Sequence, residues 1–486
     1  MTARNRPKDF EVVFPLRDFL AHPNGHKSVP EPAREVPVLA ECDVAVFGGG
    51  PAGVCAAAAA GRAGKQVVLV ERYGFLGGMA TAADVNVLHS LYGTDRKTRV
   101  IGGLAEEIIR RLQQRGAARN TNPAGESGGW IICSETAKFV LDDLVIGSGV
   151  RLLLHTWLAD VIRDGRRIAA ALVEGKSGRG AILANVYVDG TGDADLIRRA
   201  GVQTQLGDGQ GRCQPPSLCF RVGGCKAGAV GLRGVQAELF KTPMDYNGQP
   251  YPTFLWGNPG IWDSREHMLA GTRVLGVNLA DSTDLTRAEV EARYQLRWVL
   301  ERLKAMPGWE DCYLVDVAAQ IGGRESHRIL ADHQLTREEV LGGESFPDAV
   351  AQGTYPIDIH NPEGPGILFE HLDGTWNRIG GDGSSQQGRW DGQPAGAPPR
   401  GTLCYQVPYR SLVPRDLDNV LAAGRCAGAN HDAAGAIRVM VNCMQLGQAA
   451  GAAAAITPPG ASVRQVDAGQ VQERLIEDDV PLRLAR

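Results

Sequence analysis

The sequence predicts an α/β fold: a Rossmann-like nucleotide-binding domain, discontinuous along the chain, joined to a mixed α+β second domain. Three observations predict it. A strand–glycine turn–helix–strand unit stands at Asp43 to Glu71. A strand meander then runs into a second glycine-spaced loop, Asp189 to Asp195. A third glycine, Gly424, follows a short apolar strand about 370 positions after the first turn, as when a chain leaves a sheet and later rejoins it.

The first unit carries the most specific signal. Asp43 to Phe47 is a short apolar run, and Gly48-Gly49-Gly50-Pro51-Ala52-Gly53 follows at once with G-x-G-x-x-G spacing. Gly48 suits the tight turn, Gly50 lets the backbone approach a pyrophosphate, and Gly53 lets the helix pack closely on the strand. Pro51 and Ala52 open the helix, and Ala56 to Ala60 extend it with the best helix former. Its free N–H groups and partial positive charge suit phosphates. Gln66 to Val70 form the next strand, and Glu71 ends it where a carboxylate can accept hydrogen bonds from an adenosine ribose.

Taken in order, residues 1–40 read as a proline-punctuated arm whose Phe10–Phe14 segment offers a packing or subunit contact, so a homo-oligomer is within the expectation. Residues 41–200 read as the first part of the nucleotide-binding domain. After Glu71, Arg72 to Thr81 holds glycines at 74, 77 and 78, a loop able to lie close to a ligand. Gly103 to Arg115 and Ser134 to Leu144 read as helices, with Ser134 as N-cap. Val150–Leu154, Trp157–Arg163, Ile168–Glu174 and Ala181–Val188 read as strands, with turns at Asp164-Gly165 and Ser177-Gly178. Residues 201–400 read as a substrate or cap domain. Its clearest helix is Thr286–Ala305, opened by a Thr286/Glu289 capping box. The Gly/Ser/Gln/Pro-rich stretch near 380–399 reads as a loop or lid. Residues 401–460 return to the first domain, with a strand at Asn419–Ala423 and a long small-residue helix over Gly435–Ile456. Residues 461–486 form a tail with a final helix at Val471–Glu477.

Composition narrows the function. The chain has 486 residues, 43% hydrophobic and 22% charged, with net charge −4 and pI near 6.2. That balance gives no reason to expect nucleic acid or an anionic membrane as partner. No apolar run approaches the ~20 residues of a membrane span. The ten cysteines are scattered and no secretory signal opens the chain, so a cytoplasmic protein with reduced thiols is expected. Cys213, Cys219 and Cys225 are separated by five residues each, unlike common zinc or iron–sulfur spacings, so no metal site is expected.

The motifs together resemble the FAD-dependent oxidoreductase family known as FAD_oxidored. The matching stretches are Asp43–Glu71, Tyr73–Thr81, Asp189–Asp195, Ile321–Ser326, Val407–Pro414, Gly424–Cys426, His431 and Ile437–Met440. The resemblance implies FAD, a discontinuous FAD domain and a cap domain; it does not imply a substrate, because the family is catalytically diverse, and a small polar organic molecule is the expectation for this chain. The stretch 380–399 and the arm 1–40 fall outside it. The cofactor contacts expected are Gly48, Gly50, Pro51, Ala52, Gly53, Glu71, Arg72, Gly78, Met79, Gly190, Thr191, Gly192, Gly424, Arg425, Ile437 and Arg438. A second G-x-G-x-x-G and a Cys-x-x-Cys pair are both missing from the sequence, so electrons are expected from the substrate, a transient nicotinamide or a partner.

Three residues are the catalytic candidates. A helix opening near Gly435 would aim its positive end at the flavin pyrimidine, and Arg438 would add a full charge there. His431 is the candidate general base. Arg324, with Glu325 and His327, is the candidate anchor for a substrate carboxylate or a proton relay, set against a buried structural ion pair. Cys443 is assigned to helix packing. A dehydrogenase or oxidase is the first reading and a flavin-dependent reductase fed by NAD(P)H the second. An RNA-modifying flavoprotein is the third, and the net charge argues against it.

Overall fold

The computed structural model describes residues 29–125, 127–226, 231–241, 245–246, 249–250, 255–381 and 383–482. The expected segment Phe10–Phe14 lies outside them. Val38–Phe47 sits in a seven-stranded sheet between Val67–Val70 and Gly178–Asp189, parallel to both. Arg151–Leu153 extends the sheet beyond Val67–Val70, also parallel. Val420–Ala422 joins the far end of Gly178–Asp189. The chain thus returns after more than two hundred residues to complete the sheet it began. Trp157–Asp164 and Arg167–Gly175 hang from Gly178–Asp189 as an antiparallel meander.

Two helices lie against this sheet. Pro51–Arg62 is buried from Ala52 to Ala60, because its small side chains let the strand behind it approach. Met440–Ile456 packs across it and is buried from Met440 to Ala455. Their contact is backbone on backbone: a Cβ on Gly447 would stand 2.0 Å from the Ala52 carbonyl oxygen, and one on Gly451 2.2 Å from that of Ala56. The long helix expected over Gly435–Ile456 is instead two, His431–Ile437 and Met440–Ile456, bent by 92°. No single helix among the described residues is long and apolar enough to cross a membrane.

Apolar packing divides most of residues 201–400 between two cores, while Val202, Ile329 and Ala331 join the other face of the large sheet and Cys219, Met268 and Ala270 form a small cluster. Leu218 to Ile321 build their own, around Phe220, Leu269, Val299 and Trp309. That unit holds a four-stranded antiparallel sheet, in order Trp256–Pro259, His267–Ala270, Cys219–Gly223, Tyr313–Val317. Leu335 to Tyr405, by contrast, pack into the core of the first helix, with Val350, Ile357 and Tyr405 beside Val54 and Leu446. Ser217 and Gly322 mark the neck of the cap: each donates its N–H to the other's carbonyl, at 3.0 and 2.7 Å.

Three local expectations are corrected. The cap helix runs Ser282–Lys304 and is capped by Asp281, whose carboxylate accepts from the Thr283 and Asp284 N–H groups. Thr286 lies inside it and donates its hydroxyl to the Ser282 carbonyl, while Glu289 reaches away to accept the Ile321 N–H. The helix at 134 is capped by the Cys133 sulfur rather than by Ser134. Within 380–399, Ser385–Arg389 is a strand, the edge of an antiparallel meander formed with Ile357–His360, Ile367–Glu370 and Thr375–Ile379. An exposed edge strand needs no apolar alternation, so Ser-Gln-Gln-Gly-Arg gave no strand signal.

Candidate active site

Glycine-backed loops converge at the carboxyl ends of the parallel strands. Gly48, at φ +93°, could carry no side chain: a Cβ there would stand 2.6 Å from the Gly190 carbonyl oxygen. Gly53 is tighter, with a Cβ 1.7 Å from the Gly48 carbonyl oxygen, so it fixes the helix on the turn. Gly50 differs. A Cβ there would have only the Gly78 Cα, 4.0 Å away, as neighbour, so the protein itself does not require glycine at this place. Space for an incoming ligand does.

Buried carboxylates shape these loops. Glu71 accepts the Gly49 N–H at 2.6 Å and the Tyr73 N–H at 2.9 Å. Burial pushes its carboxyl above the usual range, and these two N–H groups work against that. Asp189 takes the Thr191 N–H and hydroxyl on one oxygen and the Leu196 and Ile197 N–H groups on the other, folding the Gly190–Gly192 loop around itself. Arg425 donates to Asp193 at 2.7 Å, and its other terminal nitrogen is buried with no hydrogen-bond partner.

One cavity of ≈ 430 Å³ runs from these loops to a second cluster of polar side chains. Asp358 is the centre of that cluster. It accepts from the Tyr355 hydroxyl at 2.9 Å and from Arg438 at 2.8 Å, and His360 lies 3.3 Å from its other oxygen. Burial opposes charge on Asp358, but His360 and the Arg438 and Arg324 guanidiniums outweigh it and hold the carboxyl well below its usual range. Burial and the Asp358 charge push the Tyr355 hydroxyl far up. The His89 ring lies tilted against Tyr355, centroids 4.2 Å apart, and burial pulls its imidazole down to about 4. Arg324 donates to the Pro215 carbonyl at 2.7 Å and the Ser217 hydroxyl at 2.8 Å. The Met440–Ile456 helix begins at this end, with Arg438, Val439 and Met440 in the lining.

Gly48, Gly50, Pro51, Ala52, Glu71, Arg72, Gly78, Met79, Gly190, Thr191, Gly192, Gly424, Arg425 and Arg438 all line this cavity, as does Arg324. Gly53 and Ile437 stand behind it, Gly53 under the turn and Ile437 in the apolar core. His431 is not part of the lining. It opens the short helix His431–Ile437, and its Nδ1 lies 2.8 Å from Glu325, which also pairs with Arg328. The Arg324–Glu325–His327 triplet is thus split: the extended chain sends Arg324 to the cavity, Glu325 to Arg328 and His431, and His327 to Thr204. The helix that points at the cavity starts at Met440, not near Gly435. Cys443 reaches the lining, and so does Cys219. Trp256 and Tyr355 are wall residues, whereas Trp262 is 67% exposed. His89, Asp358 and His360 are the functional candidates that sequence reasoning missed. They come from a loop and a short strand that match no motif, and only the burial of three ionisable groups in one place reveals them.

A family model described as FAD dependent oxidoreductase matches residues 43–475. No curated protein matches the sequence. Solved structures that it resembles include a geranylgeranyl bacteriochlorophyll reductase-like protein from Thermoplasma acidophilum, at 12% identity over 90% of this chain and 84% of that one, with TM-score 0.45. The flavin-dependent brominase Bmp2 aligns at 12% identity over 90% and 84%, with TM-score 0.42. THI4 from Thermovibrio ammonificans aligns at 22% identity over 34% of this chain and 64% of its own, with TM-score 0.26.

Proposed function

The chain belongs to the FAD dependent oxidoreductase family, and from that premise we propose that it moves a hydride between a small polar organic molecule and a non-covalently bound flavin. The observation that carries this reading is the single cavity shared by the glycine loops and the Arg324, Asp358, Arg438 and His89 cluster. The residues fit FAD. The open cradle at Gly50 and the N-terminus of Pro51–Arg62 suit its pyrophosphate, Glu71 its ribose, and the unpartnered Arg425 nitrogen an acceptor in the cavity. Bound FAD supplies the two-electron centre that no side chain offers.

The chain's own residues do the rest. His89, neutral at physiological pH, takes the proton from a substrate hydroxyl or amine when the adjoining C–H gives up its electron pair. Asp358 holds Tyr355 and Arg438 in fixed positions at the same end. The cap sheet closes the cavity against water through Cys219, Trp256 and Ala270. A cytoplasmic setting remains part of this proposal, supported by the scatter of ten cysteines through a large chain.

The test is anaerobic bleaching of the purified yellow protein. A panel of alcohols, amines and hydroxy acids is run beside NADH and NADPH. Bleaching by an organic substrate supports the proposal. Bleaching by a nicotinamide alone would assign a reductase fed from outside.

A further inference from the structure

We infer that the substrate carries a carboxylate on an apolar body, and that Arg324 receives the carboxylate at the foot of the wall formed by Cys219, Ala270 and Trp256. This rests on the oxidoreductase reading of the same cavity and names what that cavity selects.

The charges at the polar end do not balance. Arg438 is matched by Asp358 at 2.8 Å. Arg324 is held by two neutral oxygens, the Pro215 carbonyl and the Ser217 hydroxyl, and makes no ion pair with an acid among the described residues. Asp358 feels its charge but is already engaged by Arg438, Tyr355 and His360. His89 and His360 are both pushed toward their neutral forms by burial, so neither adds charge or removes it. Two guanidiniums therefore share one carboxylate at the polar end of the cavity. Burial, and then repulsion from Arg438, pull Arg324 down to about 10, which is the mark of a cation lacking its partner. A part-buried cation without a counter-charge is costly, and an arriving anion relieves that cost. The flat guanidinium fork suits a carboxylate in particular.

The wall beside Arg324 supplies the second half of the inference. Cys219 pairs with Ala270, and Ala270 with Trp256, so the three stand in one row across the cap sheet. All three line the cavity, and Val85 packs against the same cluster. Ser217, which holds Arg324, lies two residues before Cys219 on the same segment. A hydrogen bond from Arg324 to Ser217 thus ties the cation to the segment that enters the apolar row at Cys219. A sugar or polyol would leave its hydroxyls against this row without partners. An aryl or branched aliphatic carboxylate satisfies both features.

The experiment titrates holoenzyme with benzoate, phenylacetate and isovalerate, each against its amide, and reads the perturbation of the flavin absorbance. At least one carboxylate is expected to bind tenfold or more tightly than its amide. Arg324→Met should remove that preference at unchanged FAD content, and Arg324→Lys should restore part of it. Should Arg324→Met fail to fold, Arg324→Gln and Arg324→Lys carry the comparison. Equal binding of acid and amide by wild type across all three pairs overturns the inference. So does a preserved preference in Arg324→Met joined to a lowered flavin midpoint potential, which would assign the cation to the reduced ring. Failure to bleach with any organic substrate while acids still outbind amides defeats the hydride reading and leaves this inference standing.

Discussion

Single residues separate what holds the cofactor from what acts on the substrate. Gly50→Val should leave the melting temperature of the FAD-free protein nearly unchanged, because the new Cβ would meet only the Gly78 Cα, at an unstrained 4.0 Å, yet abolish FAD retention. Spectroscopic FAD content beside a thermal melt checks both halves. Glu71→Ala removes the acceptor of the Gly49 and Tyr73 N–H groups as well as the proposed ribose contact. Charge-assisted bonds of this kind are worth about 1.5–3 kcal/mol, so FAD should bind roughly 10- to 150-fold more weakly by equilibrium dialysis. Unchanged affinity would place the ribose elsewhere. His89 yields a pH prediction. The reactive form of a general base is the unprotonated one. Burial holds its pKa near 4, so protonation begins only as pH falls well below the ordinary histidine range. kcat/KM should stay level from neutrality down to about pH 5 and fall below it, whereas an unperturbed imidazole would cost activity from about pH 6.5. His89→Gln should lower kcat by roughly 10²- to 10⁴-fold. Glu71 and Gly50 were legible in the sequence because turn, helix and acid sit within thirty residues. His89 was not, because nothing local distinguishes Leu88-His89-Ser90 from any surface loop. His431 drew attention beside a family motif, but the fold gives its imidazole to Glu325.

Among the elements, the crossing of Pro51–Arg62 and Met440–Ile456 decides how the site is backed. Intrinsic propensity says that alanine for glycine inside a helix stabilises by about 1 kcal/mol. At Gly447 the opposite should hold. The added methyl would meet the Ala52 carbonyl at 2.0 Å, and neither backbone can yield without shifting its helix. Overpacking costs of about 1–3 kcal/mol exceed the propensity gain. Gly447→Ala should therefore lower the melting temperature and loosen FAD, since Ala52 also lines the cavity. A raised melting temperature would show that the crossing has slack. The small-residue run of this helix was legible from composition alone. Its true start was not: Ile437, Arg438 and Val439 look as helical as their neighbours, and no proline or glycine among them marks the 92° bend. The capping box misled for a related reason. Thr286 and Glu289 have the right spacing, but Asp281 had already capped the helix.

For the whole molecule, the sheet and the return of the chain at Val420–Ala422 follow from three glycine signals that the sequence displays openly. The limits of the cap do not follow, because composition changes near residue 200 while packing changes at Leu218 and again after Ile321. Residues 335–405 share the composition of the cap and the core of the sheet, a distinction made only by which apolar faces meet. The neck at Ser217 and Gly322 has a consequence in the polymer physics of the chain. Two mutual hydrogen bonds hold the ends of a segment of about a hundred residues side by side, and the entropy of closing such a loop grows only as the logarithm of its length. Doubling or halving the segment changes that cost by about 0.6 kcal/mol, less than one good hydrogen bond. The FAD-binding body is therefore nearly indifferent to what is spliced in at this point. Replacing 219–320 with a short glycine–serine linker should leave a yellow protein that keeps Arg324 and Ser217 but has lost the apolar wall of Cys219, Ala270 and Trp256, and with it selection of the substrate body and turnover. The neck makes the cap an exchangeable cassette, and a lineage could trade one substrate for another there without renegotiating the grip on its cofactor.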